Sequence, residues 1–125
     1  MQLCEPLSLL QRLVEDFEYC DLLNQAAAIA DPMLRMVYIG CFSVSGYSST
    51  YDRLSKQFNS ILGETYELVR EDKGFRIFAE QVSHHPPISA AVAEGREWHF
   101  WGHAHVKVSI VSNEMTQCPL LTVGI

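Results

Sequence analysis

The 125 residues are 48% hydrophobic and carry 9 Lys and Arg against 15 Asp and Glu, a formal net charge of -6. That length holds one domain with a modest core, and that charge excludes a generally basic, nucleic-acid-binding surface, so any anion must meet a locally basic pocket. No stretch approaches the roughly 18 apolar residues of a membrane span, the first residues lack a secretory signal's basic start and apolar run, and Cys4, Cys20, Cys41 and Cys118 lack zinc-site spacing and read as reduced thiols of a cytosolic protein.

Residues 7–19, LSLLQRLVEDFEY, place Leu10, Leu13, Val14 and Phe17 at helical spacing and turn Gln11, Glu15 and Glu18 the other way. This is an amphipathic helix entered through Glu5 and Pro6. A second short helix is expected over residues 22–30. Asp31-Pro32 then supplies a side-chain cap and a first-turn proline for a third helix that runs to about Tyr47. Met33, Leu34, Met36, Val37, Tyr38, Ile39, Cys41, Phe42 and Val44 surround that helix with apolar side chains, so burial on most sides is expected.

From Glu64 the period changes to two. Thr65–Arg70 and Phe75–Ser83 read as strands of a hairpin around Glu71-Asp72-Lys73-Gly74, with the glycine taking the positive φ of a tight turn. A third extended run, Ile88–Glu94, stops at Gly95-Arg96. After it Phe100, Gly102, Ala104, Val106, Val108 and Ile110 alternate with His99, Trp101, His103, His105, Lys107 and Ser109, a strand with two unlike faces. Helices first and strands afterwards predict an α+β fold. The last of these strands is expected to be an open edge, and the tail 113–125 is assigned no element.

The stretch EQVSHHPP, residues 80–87, carries the least ordinary chemistry. Its prolines exclude a helix interior and sit badly in a central strand. Pro86 confines His85 to extended geometry, and a bend there aims both imidazoles at one ligand, where their N–H groups suit phosphate oxygens. One surface histidine and one packed against a strand is the plainer alternative. In the connector over residues 55–64, Lys56 offers a point charge and Asn59 a directed amide, beside the alternative of a solvated loop.

Two chemical readings compete. His103 and His105, on one strand face with His99, form a candidate metal pair that lacks a third ligand and supporting hydrogen bonds, and with the histidine pair they suggest a metal-dependent hydrolase. Glu80, Ser83, His84 and His85 suggest a nucleophile and base, against which Ser83 and His84 point apart in an extended chain and no nucleophile-bearing turn surrounds the serine.

EQVSHHPP resembles the signature of the oxysterol-binding protein-related family of lipid-transfer proteins. EPLSLLQRLVEDFEY (residues 5–19), DPMLRMVYIGCFSVSGYSSTYDR and KQFNSILGETYELVREDKGFR (residues 56–76) are similar to the family's early helices and the segment leading into its barrel, so the likeness covers residues 5–95 almost continuously. The resemblance implies that residues 1–125 are the N-terminal portion of a lipid-binding domain: helices over about 5–50, then antiparallel strands of an incomplete β-barrel over about 64–112, with the tail 113–125 unassigned and further strands downstream. It implies lipid carriage without a cofactor or covalent chemistry, with sterol or phospholipid exchanged against phosphatidylinositol 4-phosphate. It also implies a cytosolic protein peripherally associated with endoplasmic reticulum and other membranes, and no nucleic-acid partner. By position, Lys56, Asn59, His84 and His85 match the residues that bind the inositol phosphate head. The family writes the loop KPFNP where this chain has Gln57 and Ser60, a change expected to loosen it without removing the donors. A fragment that binds partners but carries no lipid is the alternative.

Overall fold

The computed structural model describes the backbone of residues 4–51, 53, 55–111 and 114–124, and the side chains of these as far as His105, Thr50 apart. Strand β1 (Cys4–Ser8) pairs in parallel with β2 (Lys56–Phe58). Glu5 and Pro6 therefore lie in a strand and do not lead directly into a helix; these runs are too short to show a readable period. Ser8 closes a capping box, accepting from the Gln11 amide at 3.3 Å while its own amide donates to Gln11 Oε1 at 2.9 Å. Helix α1 (Leu9–Glu15) follows and tightens into a 3-10 turn over Asp16–Tyr19, then α2 (Asp21–Ala28).

Asp31 caps the next helix, α3 (Pro32–Ser45), through a 2.9 Å bond from the Met33 amide, and Pro32 stands in the first turn. The helix gives way to a 3-10 turn over Gly46–Thr50. Its burial differs from expectation. Met33, Leu34, Met36, Val37 and Val44 are exposed, Met33 by 76%, and Phe42 is the residue of α3 that is buried. The helix packs on α2 and on both 3-10 turns, so one side alone is covered; apolar character around a helix does not by itself supply a surface on every side.

Five strands form one antiparallel sheet in chain order: β3 (Thr65–Arg70), β4 (Phe75–Ser83), β5 (Ile88–Glu94), β6 (His99–Val111) and β7 (Glu114–Gly124). Gly74 turns the first hairpin at φ +72°, as its sequence indicates. The expected open edge of β6 is instead paired with β7, from Trp101 opposite Gly124 to Val111 opposite Glu114, so the tail left without an element forms a strand. Among the described residues β3 and β7 are the outer strands and nothing closes the sheet on itself.

Alternation along β4 sends Phe75, Ile77, Ala79 and Gln81 to the buried face, joined by Ala91, Ala93, Phe100 and Ala104 of the neighbouring strands. Leu10, Val14, Phe17 and Leu23 cover them from the helical side. Phe17 is the hub, with ring centroids 4.8 Å from Phe100 edge-on, 5.5 Å from Phe42 and 5.9 Å from Phe75. Burying such a ring stabilises the fold by about 2 kcal/mol or more. Ion pairs tie the layers at their margins: Arg53 and Arg12 to Glu5 and Glu15, and Arg70 and Lys73 of the first hairpin to Glu18. Cys4, Cys20 and Cys41 are free thiols, and burial raises that of Cys20; the Cys118 side chain lies outside those described.

Candidate headgroup site

At the end of β4 the chain leaves the sheet, and residues 84–87 form a turn containing a cis His85–Pro86 peptide. The turn stacks the two histidines edge to face with ring centroids 4.4 Å apart. The loop after β2 comes back to the same place. Asn59 Nδ2 lies 3.4 Å from His84 Nδ1, and the Ser60 carbonyl lies 2.7 Å from that same nitrogen.

A carbonyl only accepts, so His84 Nδ1 carries a proton and donates it to Ser60. The shorter contact decides the tautomer, and Asn59 Nδ2 is a neighbour of that N–H without bonding to it. His84 Nε2 is thereby left for a ligand, as are the ring of exposed His85 and the Nδ2 protons of exposed Asn59. Lys56 stands three residues before Asn59 on β2, exposed, and no hydrogen bond among the described residues ties it to the other three. The structure thus brings Asn59, His84 and His85 together and leaves Lys56 at the start of β2, ahead of the loop that carries Asn59.

Below these groups lies a buried polar layer that the sequence did not single out. Gln81 and Ser89 are wholly buried and Ser60 nearly so. Gln81 Nε2 donates to the Ser83 carbonyl at 2.8 Å and reaches Asn59 Oδ1 at 3.4 Å, while its Oε1 accepts from Ser89 Oγ at 2.5 Å. Ser60 Oγ donates to Glu64 Oε1 at 3.1 Å, and Glu64 Oε2 accepts from the Ile61 amide at 2.9 Å. Where Ser60 was expected to loosen the loop, its hydroxyl and carbonyl both hold it. Gln81 and Ser89 face each other across β4 and β5; the signal was present in the alternation, which turns Gln81 inward with Ile77 and Ala79.

The competing constellations fare differently. Among the described residues no three His, Cys, Asp or Glu side chains gather as metal ligands. His103 is exposed, and opposite it β5 presents Ala90; opposite His105 stands Ile88. The Lys107 side chain, expected on the same face, lies outside those described. His84 Nδ1 meets a carbonyl, not the Ser83 hydroxyl.

Helices lie over one face of an antiparallel sheet whose outer strands are open among the described residues, and two imidazoles and an amide converge at the sheet's end. The chain belongs to the oxysterol-binding protein family, whose model matches residues 1–123, beyond the 5–95 over which the resemblance was legible. It is 52% identical over 123 residues to human oxysterol-binding protein-related protein 3 and 53% identical over 126 residues to human oxysterol-binding protein-related protein 7, matching 98% and 100% of this chain but only 14% and 15% of those proteins. Two solved structures share the fold: the Osh1 ORD domain in complex with ergosterol (TM-score 0.85, 48% identity) and the Osh3 ORD in complex with PI(4)P from Saccharomyces cerevisiae (TM-score 0.83, 35% identity). Each alignment covers 96% of this chain, and 29% and 33% respectively of the solved chains.

Proposed function

We infer that this chain supplies the headgroup-binding corner of a lipid-transfer domain, in which Lys56, Asn59, His84 and His85 grip the phosphorylated inositol of phosphatidylinositol 4-phosphate. The convergence of Asn59 on His84 beside His85 carries the assignment, since it brings three groups that suit a phosphate together from two separate segments. A multiply charged phosphate takes charge-assisted bonds from imidazolium, ammonium and amide donors. A family neighbour solved with PI(4)P and another solved with ergosterol support a domain that exchanges sterol or phospholipid against the phosphoinositide. The work is binding and release, without covalent chemistry, by a protein that visits endoplasmic reticulum and other membranes from the cytosol. No helix among the described residues is long and apolar enough to cross a bilayer.

A second reading follows from the open edges. With the outer sides of β3 and β7 without a partner strand among the described residues, acyl chains withdrawn by this chain alone would remain in water. The chain then captures headgroups at a bilayer surface and extracts none. Sedimentation with phosphatidylcholine vesicles, with and without phosphatidylinositol 4-phosphate, tests capture; release of labelled lipid from the vesicles tests extraction. Binding that ignores the phosphoinositide contradicts the headgroup assignment.

A further inference from the structure

Gln81 is uncharged, wholly buried and unable to touch a ligand directly, yet each of its side-chain polar atoms is committed. We propose that Gln81 is a positioning residue that sets the polarity of the headgroup corner, turning the Asn59 amide so that its donors face the ligand and making the site select anions.

The orientation follows from one group that has no choice. The Ser83 carbonyl accepts and never donates, so the atom of Gln81 lying 2.8 Å from it is the nitrogen. Gln81 Oε1 is then the atom that meets the Ser89 hydroxyl at 2.5 Å. The remaining Nε2 proton faces Asn59, where it is satisfied only by an oxygen, Oδ1 at 3.4 Å. Asn59 Nδ2 is consequently turned away from Gln81 and toward the histidines. A free amide would present its carbonyl oxygen to phosphate in part of its population, which repels; the Ser83–Gln81–Asn59 chain removes that orientation before the ligand arrives.

The main chain of Gln81 does a separate job. Its carbonyl accepts from the Gly63 amide and its amide donates to the Glu64 carbonyl, both at 2.9 Å, so the loop is bolted to β4 whatever side chain position 81 carries. Replacing the side chain therefore leaves the loop docked while it frees the Asn59 amide, along with the Ser83 carbonyl and the Ser89 hydroxyl.

The proposal rests on the headgroup assignment above, and the test separates the two. The 125-residue protein is titrated with inositol 1,4-bisphosphate while the Asn59 side-chain amide is followed by NMR. Gln81→Met, which keeps length and removes both polar atoms, is expected to weaken binding about three- to tenfold. In an Asn59→Ala background the same replacement should have no further effect, because Gln81 acts through Asn59. Gln81→Met binding as tightly as the parent, or losses that multiply in the double variant, would overturn the proposal.

If the parent protein binds no inositol phosphate, the headgroup assignment falls, and the ligand-free spectrum decides the positioning claim. Averaged Asn59 Nδ2 protons in Gln81→Met support it, and an unchanged Asn59 amide overturns it. Should Gln81→Met lose the folded amide pattern, Gln81→Met combined with Ser89→Ala, which also removes the hydroxyl that methionine leaves without its acceptor, is judged by the same outcomes.

Discussion

His84 Nδ1 donates to the Ser60 carbonyl across 2.7 Å, which fixes the neutral ring as the Nδ1–H tautomer and points the lone pair of Nε2 away from the loop. Long-range proton–nitrogen correlation spectra at alkaline pH should report that tautomer. An Nε2–H pattern would mean that the loop does not hold the ring.

Asp16 gives the stability a defined pH dependence. Burial raises its carboxyl from the ordinary 3.8 to about 6, against the Ser49 hydroxyl and Arg12, which lower it, and with Glu15 raising it further. The folded protein then holds a proton between those two values that the unfolded chain has released. The associated stability is complete below about pH 4 and is lost as pH rises through about 6, some 2 kcal/mol after allowance for partial solvation. Glu18, Asp72 and Glu94, lowered by their Lys and Arg partners, slope the other way. Urea denaturation of the parent and Asp16→Asn isolates the effect: the variant should gain on the parent by about 2 kcal/mol between pH 4 and pH 7, and parallel curves would contradict the burial of a titrating carboxyl.

Trp98 ties the turn between β5 and β6 to α2, its Nε1 donating to Asn24 Oδ1 at 2.8 Å. Asn24→Ala leaves a buried indole N–H without its acceptor, and a cost of about 1–2 kcal/mol is expected in chemical denaturation. No loss would mean that water serves the indole equally well.

Gly95 makes room for the same ring. A Cβ there would lie 2.1 Å from Trp98 Cε2 and 2.3 Å from Nε1, with no flexible end to yield. Gly95→Ala should displace the indole from Phe17 and Phe75 and destabilise by about 2 kcal/mol or more, visible as a lower melting temperature and altered tryptophan fluorescence. Unchanged fluorescence would contradict that packing.

The hairpin of β3 and β4 was legible because Gly74 punctuates two alternating runs. β7 was not, because Gln117, Cys118 and Pro119 interrupt its alternation; among the described residues β7 is an outer strand, a position in which a proline is tolerated. The apolar circumference of α3 marked a helix correctly and its burial wrongly, since sequence counts apolar faces and not the surfaces available to cover them. At the site, His84, His85, Asn59 and Lys56 were named through the EQVSHHPP and KQFN stretches. Gln81, Ser60 and Ser89 escaped because their roles depend on register: Gln81 meets Ser89 across a strand pair and Asn59 across 22 positions of chain.

Binding of the 125-residue protein to vesicles containing phosphatidylinositol 4-phosphate, compared with a His84→Ala, His85→Ala variant of unchanged melting temperature, tests the headgroup site most directly. Loss of the two imidazoles should weaken phosphoinositide-dependent binding by about tenfold or more, two charge-assisted bonds being removed. Equal binding by parent and variant would contradict it.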